Sequence, residues 1–370
     1  MKILCIHATA GAGHRKAAEA VYNGLKAKGM DARLVDALDY TNPFFKLTYP
    51  AAYTFLVTKL SFMWAFFFAI LDVPALQPLV HAVRRVYNGI NAHRLEQFLI
   101  DEQFDCIITT QFLSAEVTAY LKRSGKITSK VICVVTDFDV HRIWVNRGID
   151  IYTGASPFTR EKLISLGIPA DKAFVTGIPT DAMFAAPADR PALNKKLGFE
   201  DNKFTVLLAT GSFGMGPIEE LIDGLKDYQV VVVCGHNKSL YQRLQGKAVG
   251  NIHVLGLVNN MHELMSVADV MVTKPGGLSI AEALVKHLPM IFFSAIPGQE
   301  TQNIMVLKKY GAAMDQMTVE EIARTINQWN SHPEMLNELK HNLLSVSKPA
   351  AVEEIIRLIV KDTGLPGTGR

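Results

Sequence analysis

Residues 267–282 read VADVMVTKPGGLSIAE, an apolar run followed by a glycine pair and a helix-forming stretch. The pattern places Gly276 and Gly277 at a strand-to-helix junction, where backbone N–H groups of a first helical turn bind phosphate. Ser279 points toward the same anion, and Glu282, about one turn into the helix, is placed to accept from ribose hydroxyls. The pattern favours a nucleotide-sugar pocket, although an ordinary glycine turn has the same local sequence.

A second glycine loop lies near the N-terminus. Residues 8–14, ATAGAGH, follow the strand-like MKILCIH and precede the helix-like RKAAEAVYNGLKAKG. The spacing is not a full G-x-G-x-x-G, and no acidic residue is well placed for a ribose, so a dinucleotide site is poorly supported. His14 stands where the helix begins and is a candidate general base, with a structural role as the alternative.

Strand and helix patterns alternate along most of the chain, which indicates parallel sheets flanked by helices. The predicted strands are residues 3–7, 31–36, 106–110, 131–136 and 151–154, and then 204–209, 229–234, 252–255, 270–273 and 290–293. We therefore predict an α/β protein of two doubly wound, Rossmann-like domains that face a cleft at the carboxyl ends of their strands.

A proline-rich stretch near residues 177–191 separates the two sets of strands. The predicted domains are residues 1–178 and residues 179–345. Residues 346–370 hold a last helix that crosses back to the first domain.

Composition agrees with a large folded protein. The chain has 370 residues, of which 49% are apolar, and this is enough for two domains with their own cores. The four cysteines lie in apolar runs without CxxC spacing, so we expect buried, reduced thiols and a cytoplasmic location. The first strand is too short and too polar after His7 to be a signal peptide.

Aromatic residues cluster between residues 44 and 71. Ten of the 32 aromatics lie there: Phe44, Phe45, Tyr49, Tyr53, Phe55, Phe62, Trp64, Phe66, Phe67 and Phe68. The uninterrupted apolar run, residues 62–71, is half the length of roughly 20 residues that a spanning helix needs. We predict an interfacial helix whose Phe62, Trp64 and Phe66 contact lipid, with a core helix or a dimer interface as alternatives.

The charge distribution supports an anionic partner surface. Residues 1–178 contain 20 Lys and Arg against 15 Asp and Glu, whereas the whole chain has a net charge of only +3. His81, Arg84, Arg85, His93 and Arg94 follow the aromatic cluster and are predicted to meet anionic membrane lipids. Nucleic acid is not an expected partner, because no basic tail or RNA-binding signature is present.

Seven motifs occur in order along the chain: GAGHRKAA at 11–18, VTDFDVHRIWV at 135–145, TGIP at 176–179, CGHN at 234–237, GLVNNM at 256–261, TKPGGLSIAEAL at 273–284 and IPGQE at 296–300. Together they resemble the diacylglycerol glycosyltransferases, which comprise bacterial processive β-glucosyltransferases and plant-type monogalactosyldiacylglycerol synthases. The resemblance covers residues 3–345. It implies a GT-B fold, inverting transfer from UDP-glucose or UDP-galactose to a lipid hydroxyl, and peripheral attachment to the cytoplasmic face of the cell membrane.

The resemblance also implies roles for single residues. His14 matches the proposed base of the family, with Asp137 and His141 as reserve candidates, and Trp144 is either an acceptor-lipid contact or a core residue. The residues that would contact the UDP-sugar are Gly13, Leu257, Val258, Gly276, Gly277, Ser279, Glu282, Gln299 and Glu300. No metal or other cofactor is expected, because amide donors and a helix N-terminus would stabilise the leaving diphosphate in place of a divalent cation. The loop TGSFGMGP at 210–217 is less glycine-rich than in the family, and its role stays open.

The predicted activity is transfer of glucose or galactose from a UDP-sugar to diacylglycerol or glycosyl-diacylglycerol. Within the same fold, one alternative is the N-acetylglucosaminyltransferase that acts on the undecaprenyl-linked intermediate of peptidoglycan synthesis. A UDP-N-acetylglucosamine 2-epimerase has two similar domains but needs no lipid-binding aromatics. A nucleotide-sugar sensor without catalytic activity is the hypothesis from another class.

Overall fold

The computed structural model describes residues 1–9, 11–209, 211 and 216–361, and these form two compact units. The first unit contains Met1–Ala182, the short segment Ile296–Gln299 and the described C-terminal residues 348–361. The second unit contains Met183–Ala295 and Glu300–Ser347.

The first unit is a parallel six-stranded sheet in the order β2-β1-β3-β4-β5-β6, with helices on both faces. Its strands are β1 (Lys2–His7), β2 (Asp31–Asp36), β3 (Cys106–Thr109), β4 (Lys130–Val134), β5 (Ile151–Gly154) and β6 (Ala173–Val175). Its helices are α1 (Ala12–Ala27), α2 (Pro43–Lys59), α3 (Ser61–Leu71), α4 (Gln77–Asn91), α5 (His93–Glu102), α6 (Phe112–Arg123), α7 (Pro157–Ser165) and, at the C-terminus, α17 (Ala351–Val360).

The second unit is a parallel five-stranded sheet in the order β11-β10-β7-β8-β9. Its strands are β7 (Thr205–Ala209), β8 (Gln229–Val233), β9 (Ile252–Leu255), β10 (Val270–Thr273) and β11 (Met290–Phe292). Its helices are α8 (Ala182–Ala185), α9 (Arg190–Leu197), α10 (Ile218–Gly224), α11 (Lys238–Leu244), α12 (Met261–Val267), α13 (Gly277–Val285), α14 (Gln299–Lys309), α15 (Val319–Ser331) and α16 (Pro333–Val346).

The prediction of two parallel α/β sheets is confirmed. The ten predicted strands all occur within two residues of their predicted ends. The sequence missed β6, because its three residues, AFV, are too few to show a strand pattern. The strand cores are almost wholly buried on both faces, as parallel sheets covered by helices require.

The C-terminal helix α17 packs in the first unit. Its apolar face, including Val352, Ile355 and Ile359, lies in one cluster with β1, α1 and β4, and Lys130 Nζ donates to Leu358 O at 2.7 Å. Gly24 of α1 lies under this helix, and an added Cβ there would stand 2.4 Å from Val352 Cγ1. The close approach of α1 and α17 therefore depends on glycine at this position.

The aromatic segment folds into α2 and α3, which diverge by 111°. Among the described residues, no single helix is long and apolar enough to cross a membrane, and these two pass that test only as a bent pair. The four cysteines are unpaired and buried, as predicted, and burial raises the pKa of Cys133 to about 12.

Candidate active site

The strand order of the first unit reverses between β1 and β3. In open α/β sheets, ligands bind at such a switch point, outside the carboxyl ends of the strands. The loop after β1 leads into α1 through Gly11. The backbone φ of Gly11 is +106°, which residues other than glycine rarely adopt. No side chain caps the start of α1. Gly13 and His14 lie in the first turn of α1 and thus at this switch point.

His14 is held by the loops that follow β3 and β4. Its Nδ1 lies 2.8 Å from Thr110 O and 2.9 Å from Thr136 Oγ1, and Thr110 Oγ1 donates to His14 O at 2.8 Å. Because a carbonyl oxygen can only accept, Nδ1 must carry the proton. The Nε2 atom of the neutral ring therefore has its lone pair available, which is the tautomer that a general base needs.

Burial also keeps His14 in its neutral form. Removal of the ring from water is the largest effect, and it lowers the pKa to about 4 although the hydrogen bond to Thr110 opposes it. The nearby His7 lowers this pKa further. Near pH 7 the imidazole is thus unprotonated and can accept a proton.

Trp144 forms a wall beside this histidine. Its side chain is only 2% exposed, its ring centroid lies 6.0 Å from that of His14, and Phe112 packs edge-on against it at 6.1 Å. Trp144 therefore lies in the core in this structure, which is the second of the two roles that the sequence left open. The tryptophan is a core residue that limits the space around the His14 ring.

Asp137 follows β4 directly after Thr136 and is 9% exposed. Gln299 Nε2 donates to its two carboxylate oxygens at 3.2 and 3.3 Å. Asp137 therefore lies next to Gln299 within the first unit, and the amide of Gln299 occupies its carboxylate.

His141 makes hydrogen bonds with both ring nitrogens. Its Nδ1 accepts from the N–H of Ile143 at 3.0 Å, and its Nε2 lies 2.7 Å from Phe68 O in α3. Burial is the main cause that lowers its pKa. In this structure neither ring nitrogen is left for an acceptor hydroxyl, which favours His14 over His141 as the base.

The second unit has its own switch point, between β7 and β10. Thr273 Oγ1 at the end of β10 donates to Ala209 O at the end of β7, at 3.0 Å. The glycine turn follows, with Gly276 at the N-cap of α13 and Gly277 as its first residue, and no side chain caps this helix. A Cβ added to Gly276 would meet nothing within 4 Å, so open space adjoins the turn. These features suit an anionic ligand.

The other predicted donor contacts lie on the same unit. Ser279 and Glu282 are half-buried on α13. Leu257, which is 66% exposed, and the half-buried Val258 follow β9 in the loop that leads to α12. This loop therefore lies at the surface of the second unit.

Glu300 in the first turn of α14 interacts with Lys274, the residue that precedes the glycine turn. Burial lowers the pKa of Lys274, and the charge of Glu300 partly offsets this effect. Of the loop 210–217, Thr210 and residues 212–215 lie outside the described residues.

The chain shows similarity to known proteins in sequence and in fold. The family model for monogalactosyldiacylglycerol (MGDG) synthase matches residues 14–180, and the glycosyltransferase family 28 C-terminal domain matches residues 206–355. A processive diacylglycerol beta-glucosyltransferase of Bacillus pumilus is 30% identical over 98% of this chain and 96% of that protein. The enzyme of the same name from Bacillus licheniformis is 33% identical over 75% of this chain and 74% of its own length. This chain belongs to the diacylglycerol glycosyltransferase family.

Solved structures that resemble this glycosyltransferase show its GT-B fold. The Anabaena protein Alr3699/HepE in complex with UDP-glucose has a TM-score of 0.57 at 15% identity, with 98% of this chain and all of that chain covered. Acinetobacter baumannii MurG has a TM-score of 0.60 at 15% identity, over 97% and 99% of the two chains. The Neisseria meningitidis UDP-GlcNAc 2-epimerase has a TM-score of 0.61 at 16% identity, over 98% and 100%.

Three residues that position the site of this glycosyltransferase were missed from the sequence. Thr110 and Thr136 orient His14, and the fully buried Asn303 of α14 donates through Nδ2 to Pro275 O at 3.0 Å, which fixes the glycine turn. The two threonines were the last residues of predicted strands, and adjacent parallel strands end at one edge of a sheet. That signal was present, whereas nothing near Asn303 in the sequence indicates its contact.

The predicted lipid contacts of the glycosyltransferase differ in exposure. Phe62 is 81% exposed and Phe66 is 55% exposed. Trp64 is half-buried and packs against Tyr53 at 5.3 Å and Phe68 at 5.6 Å between ring centroids. Phe62 and Phe66 are therefore available to a ligand, whereas Trp64 mainly holds α2 and α3 together.

Two of the predicted lipid-facing cations are engaged elsewhere. The half-buried Arg84 pairs with Glu116 of α6, and Arg85 pairs with Glu96 at 2.7 Å and lies over the ring of Tyr120. The prediction that these two arginines meet head groups is corrected. Among the residues that the structure describes, no group of three or more His, Cys, Asp or Glu could hold a metal ion.

Proposed function

We propose that this glycosyltransferase moves glucose or galactose from a UDP-sugar to the free hydroxyl of diacylglycerol or of a glycosyl-diacylglycerol, with inversion at the anomeric carbon. The observation that carries the proposal is His14: its Nδ1–H is held by Thr110 O, which leaves a neutral Nε2 beside the switch point of the first sheet. The diacylglycerol acceptor follows from the names of the relatives.

The reaction needs a base and a stabilised leaving group, and no protein nucleophile. The acceptor oxygen attacks C1 of the sugar, its proton goes to His14 Nε2, and the bond from C1 to the diphosphate breaks with its electron pair on UDP. The N–H groups at the start of α13 stabilise the negative charge that develops on UDP. No metal is required in this scheme.

The exposed apolar surface of the first unit supports attachment to a membrane. The eleven residues of α3, SFMWAFFFAIL, contain no charge and none is buried, and Phe62, Met63, Phe66 and Phe67 are exposed. Monomeric soluble proteins rarely expose so large an apolar patch. We propose a phospholipid bilayer as its partner, because diacylglycerol resides in one, and a peripheral site on the cytoplasmic face.

The experiment is to incubate the purified protein with UDP-glucose or UDP-galactose, labelled in the sugar, and diacylglycerol in vesicles that contain phosphatidylglycerol. Thin-layer separation of the lipids should show label in a glycolipid band for one of the donors, with and without EDTA. Loss of the band in EDTA would overturn the metal-free scheme. No labelled lipid with either donor, while UDP still binds, would refute the proposed acceptor.

A further inference from the structure

The apolar helix α3 ends against the loop that carries the site. His141 Nε2 lies 2.7 Å from Phe68 O, and the rings of these two residues pack with centroids 4.0 Å apart. Asp72, which caps the end of α3, accepts from the N–H of Arg142 through Oδ1 at 3.0 Å, and its carbonyl accepts from Arg142 Nε at 2.9 Å. Three hydrogen bonds and one ring contact thus join α3 and its C-cap residue to residues 141 and 142.

Phe68 also adjoins the turn at residues 296–299. Gly298 has a φ of +88°, and a Cβ added there would stand 3.1 Å from Phe68 Cδ1. The next residue, Gln299, donates to Asp137. The side chain of Phe68 therefore contacts both His141 and Gly298. The loop that contains His141 and the turn that contains Gly298 are also joined by the hydrogen bonds between Asp137 and Gln299.

We propose that α3 positions the site as well as contacting lipid: its engagement with a bilayer orders the loop 137–144 through His141 and Asp72, so that surface binding and turnover are coupled. The inference rests on the proposed function. His141 is a positioning residue, since it acts on Asp137 and the Thr136–His14 pair through the loop and has no free ring nitrogen for substrate.

The geometry fits such a coupling because the two sides of His141 differ. Its Nδ1 bond to Ile143 is local and caps the short turn Arg142–Trp144, whereas its Nε2 bond reaches α3, 73 residues away in sequence. The side of α3 that carries Phe62 and Phe66 faces solvent, while Phe68 packs inward on His141. When the exposed side of α3 binds a bilayer, the contact between Phe68 and His141 couples this binding to the loop 137–144.

The two bonds of His141 can be separated by substitution. His141→Asn keeps an oxygen where Nδ1 accepts from Ile143 and removes the bond to Phe68 O. His141→Gln keeps a donor that reaches Phe68. Asp72→Ala removes the acceptor for the Arg142 N–H at a position that is 40% exposed, so folding should tolerate it. His341→Asn, at an exposed position of α16, is the matched control.

Turnover at saturating vesicles is the first measurement. We expect His141→Asn to lower kcat by roughly tenfold to a hundredfold, because small misplacements at an active site have effects of this size. KM for the UDP-sugar and sedimentation with vesicles should stay at wild-type values. His141→Gln should recover most of kcat, and His341→Asn should match wild type. A wild-type kcat in both His141→Asn and Asp72→Ala would overturn the proposal.

Hydrogen exchange of the peptide 137–146 tests the coupling without turnover. Vesicles of phosphatidylglycerol and phosphatidylcholine without acceptor should slow exchange of this peptide in the wild type but not in His141→Asn or Asp72→Ala. Equal slowing in wild type and variants would refute the role of His141 and Asp72. Hydrogen exchange needs no sugar transfer. It therefore tests the coupling even if the proposed reaction does not occur.

Discussion

At the scale of single residues, the proposed chemistry depends on the protonation state of His14. The neutral ring is fixed by Thr110 O at Nδ1, and burial lowers its pKa to about 4. We expect His14→Ala to lower kcat by roughly 10²–10⁴-fold, the usual contribution of a general base. UDP binding, measured by calorimetry, should not change. His341→Ala, at an exposed histidine of α16, is the control. Turnover at the wild-type rate in His14→Ala would exclude His14 as the base.

The pH dependence of kcat/KM follows from the lowered pKa of His14. The base must be neutral, and the folded protein lowers the pKa of His14 from 6.5 to about 4. Activity should therefore be constant from neutral pH down to about pH 5 and fall as the pH passes through about 4. A fall in kcat/KM already near pH 6.5 would show that the ring of the essential histidine is exposed to water. This would contradict the burial of His14.

A substitution of Glu282 tests the proposed binding of the UDP ribose. Its half-buried carboxylate lies on α13, one turn beyond the glycine pair, where a ribose hydroxyl would donate to it. Hydrogen bonds to charged groups contribute about 1.5–3 kcal/mol, so Glu282→Ala should weaken UDP binding by about tenfold or more. Glu338→Ala, at an exposed position of α16, should leave it unchanged. An unaltered UDP dissociation constant in Glu282→Ala would remove the ribose assignment.

Some residues of the candidate site could be predicted from the sequence, and others could not. His14 and the glycine pair could be placed because each follows a predicted strand, and local sequence determines that position. The groups that make His14 a base lie 96 and 122 residues away, at Thr110 and Thr136. Trp144 was undecided between core and surface, since an indole suits both environments, and its burial is known only from packing.

At the scale of elements, the exposed apolar helix α3 is the proposed membrane contact. Burial of a large apolar side chain is worth about 1.5–3 kcal/mol. The double variant Phe62→Ser/Phe66→Ser should therefore weaken sedimentation with phosphatidylglycerol vesicles by at least roughly tenfold, with UDP affinity unchanged. Met335→Ser removes an exposed apolar residue of the second unit and is the control. If the double variant binds vesicles as the wild type does, α3 is not the membrane contact.

Elements were predicted well where their pattern is local. The strands are short apolar runs between turns and were found, except for the three residues of β6. The aromatic segment was expected to be helical, but the 111° bend between α2 and α3 was not, because no proline or glycine marks it. Arg84 and Arg85 seemed free for lipid because their partners, Glu116 and Glu96, lie on other helices.

At the scale of the whole molecule, the first unit is completed by the end of the chain. Ile355 of α17 is fully buried in the cluster that contains β1 and α1. Ile355→Ala should lower the free energy of unfolding by about 2–5 kcal/mol, as deletion of buried methyl groups does in tightly packed cores. Urea unfolding followed by fluorescence measures this change, with Leu344→Ala at an exposed site as control. A change below about 1 kcal/mol would mean that α17 contributes little to the core.

The most direct test of the central claim is the structure of the lipid product made from the UDP-α-hexose and diacylglycerol. Proton NMR reports the configuration at the anomeric carbon of the purified glycolipid. Direct displacement with His14 as the base predicts a β-linked hexose on the free hydroxyl of diacylglycerol. An α-linked product, or no sugar on the lipid at all, would contradict this account.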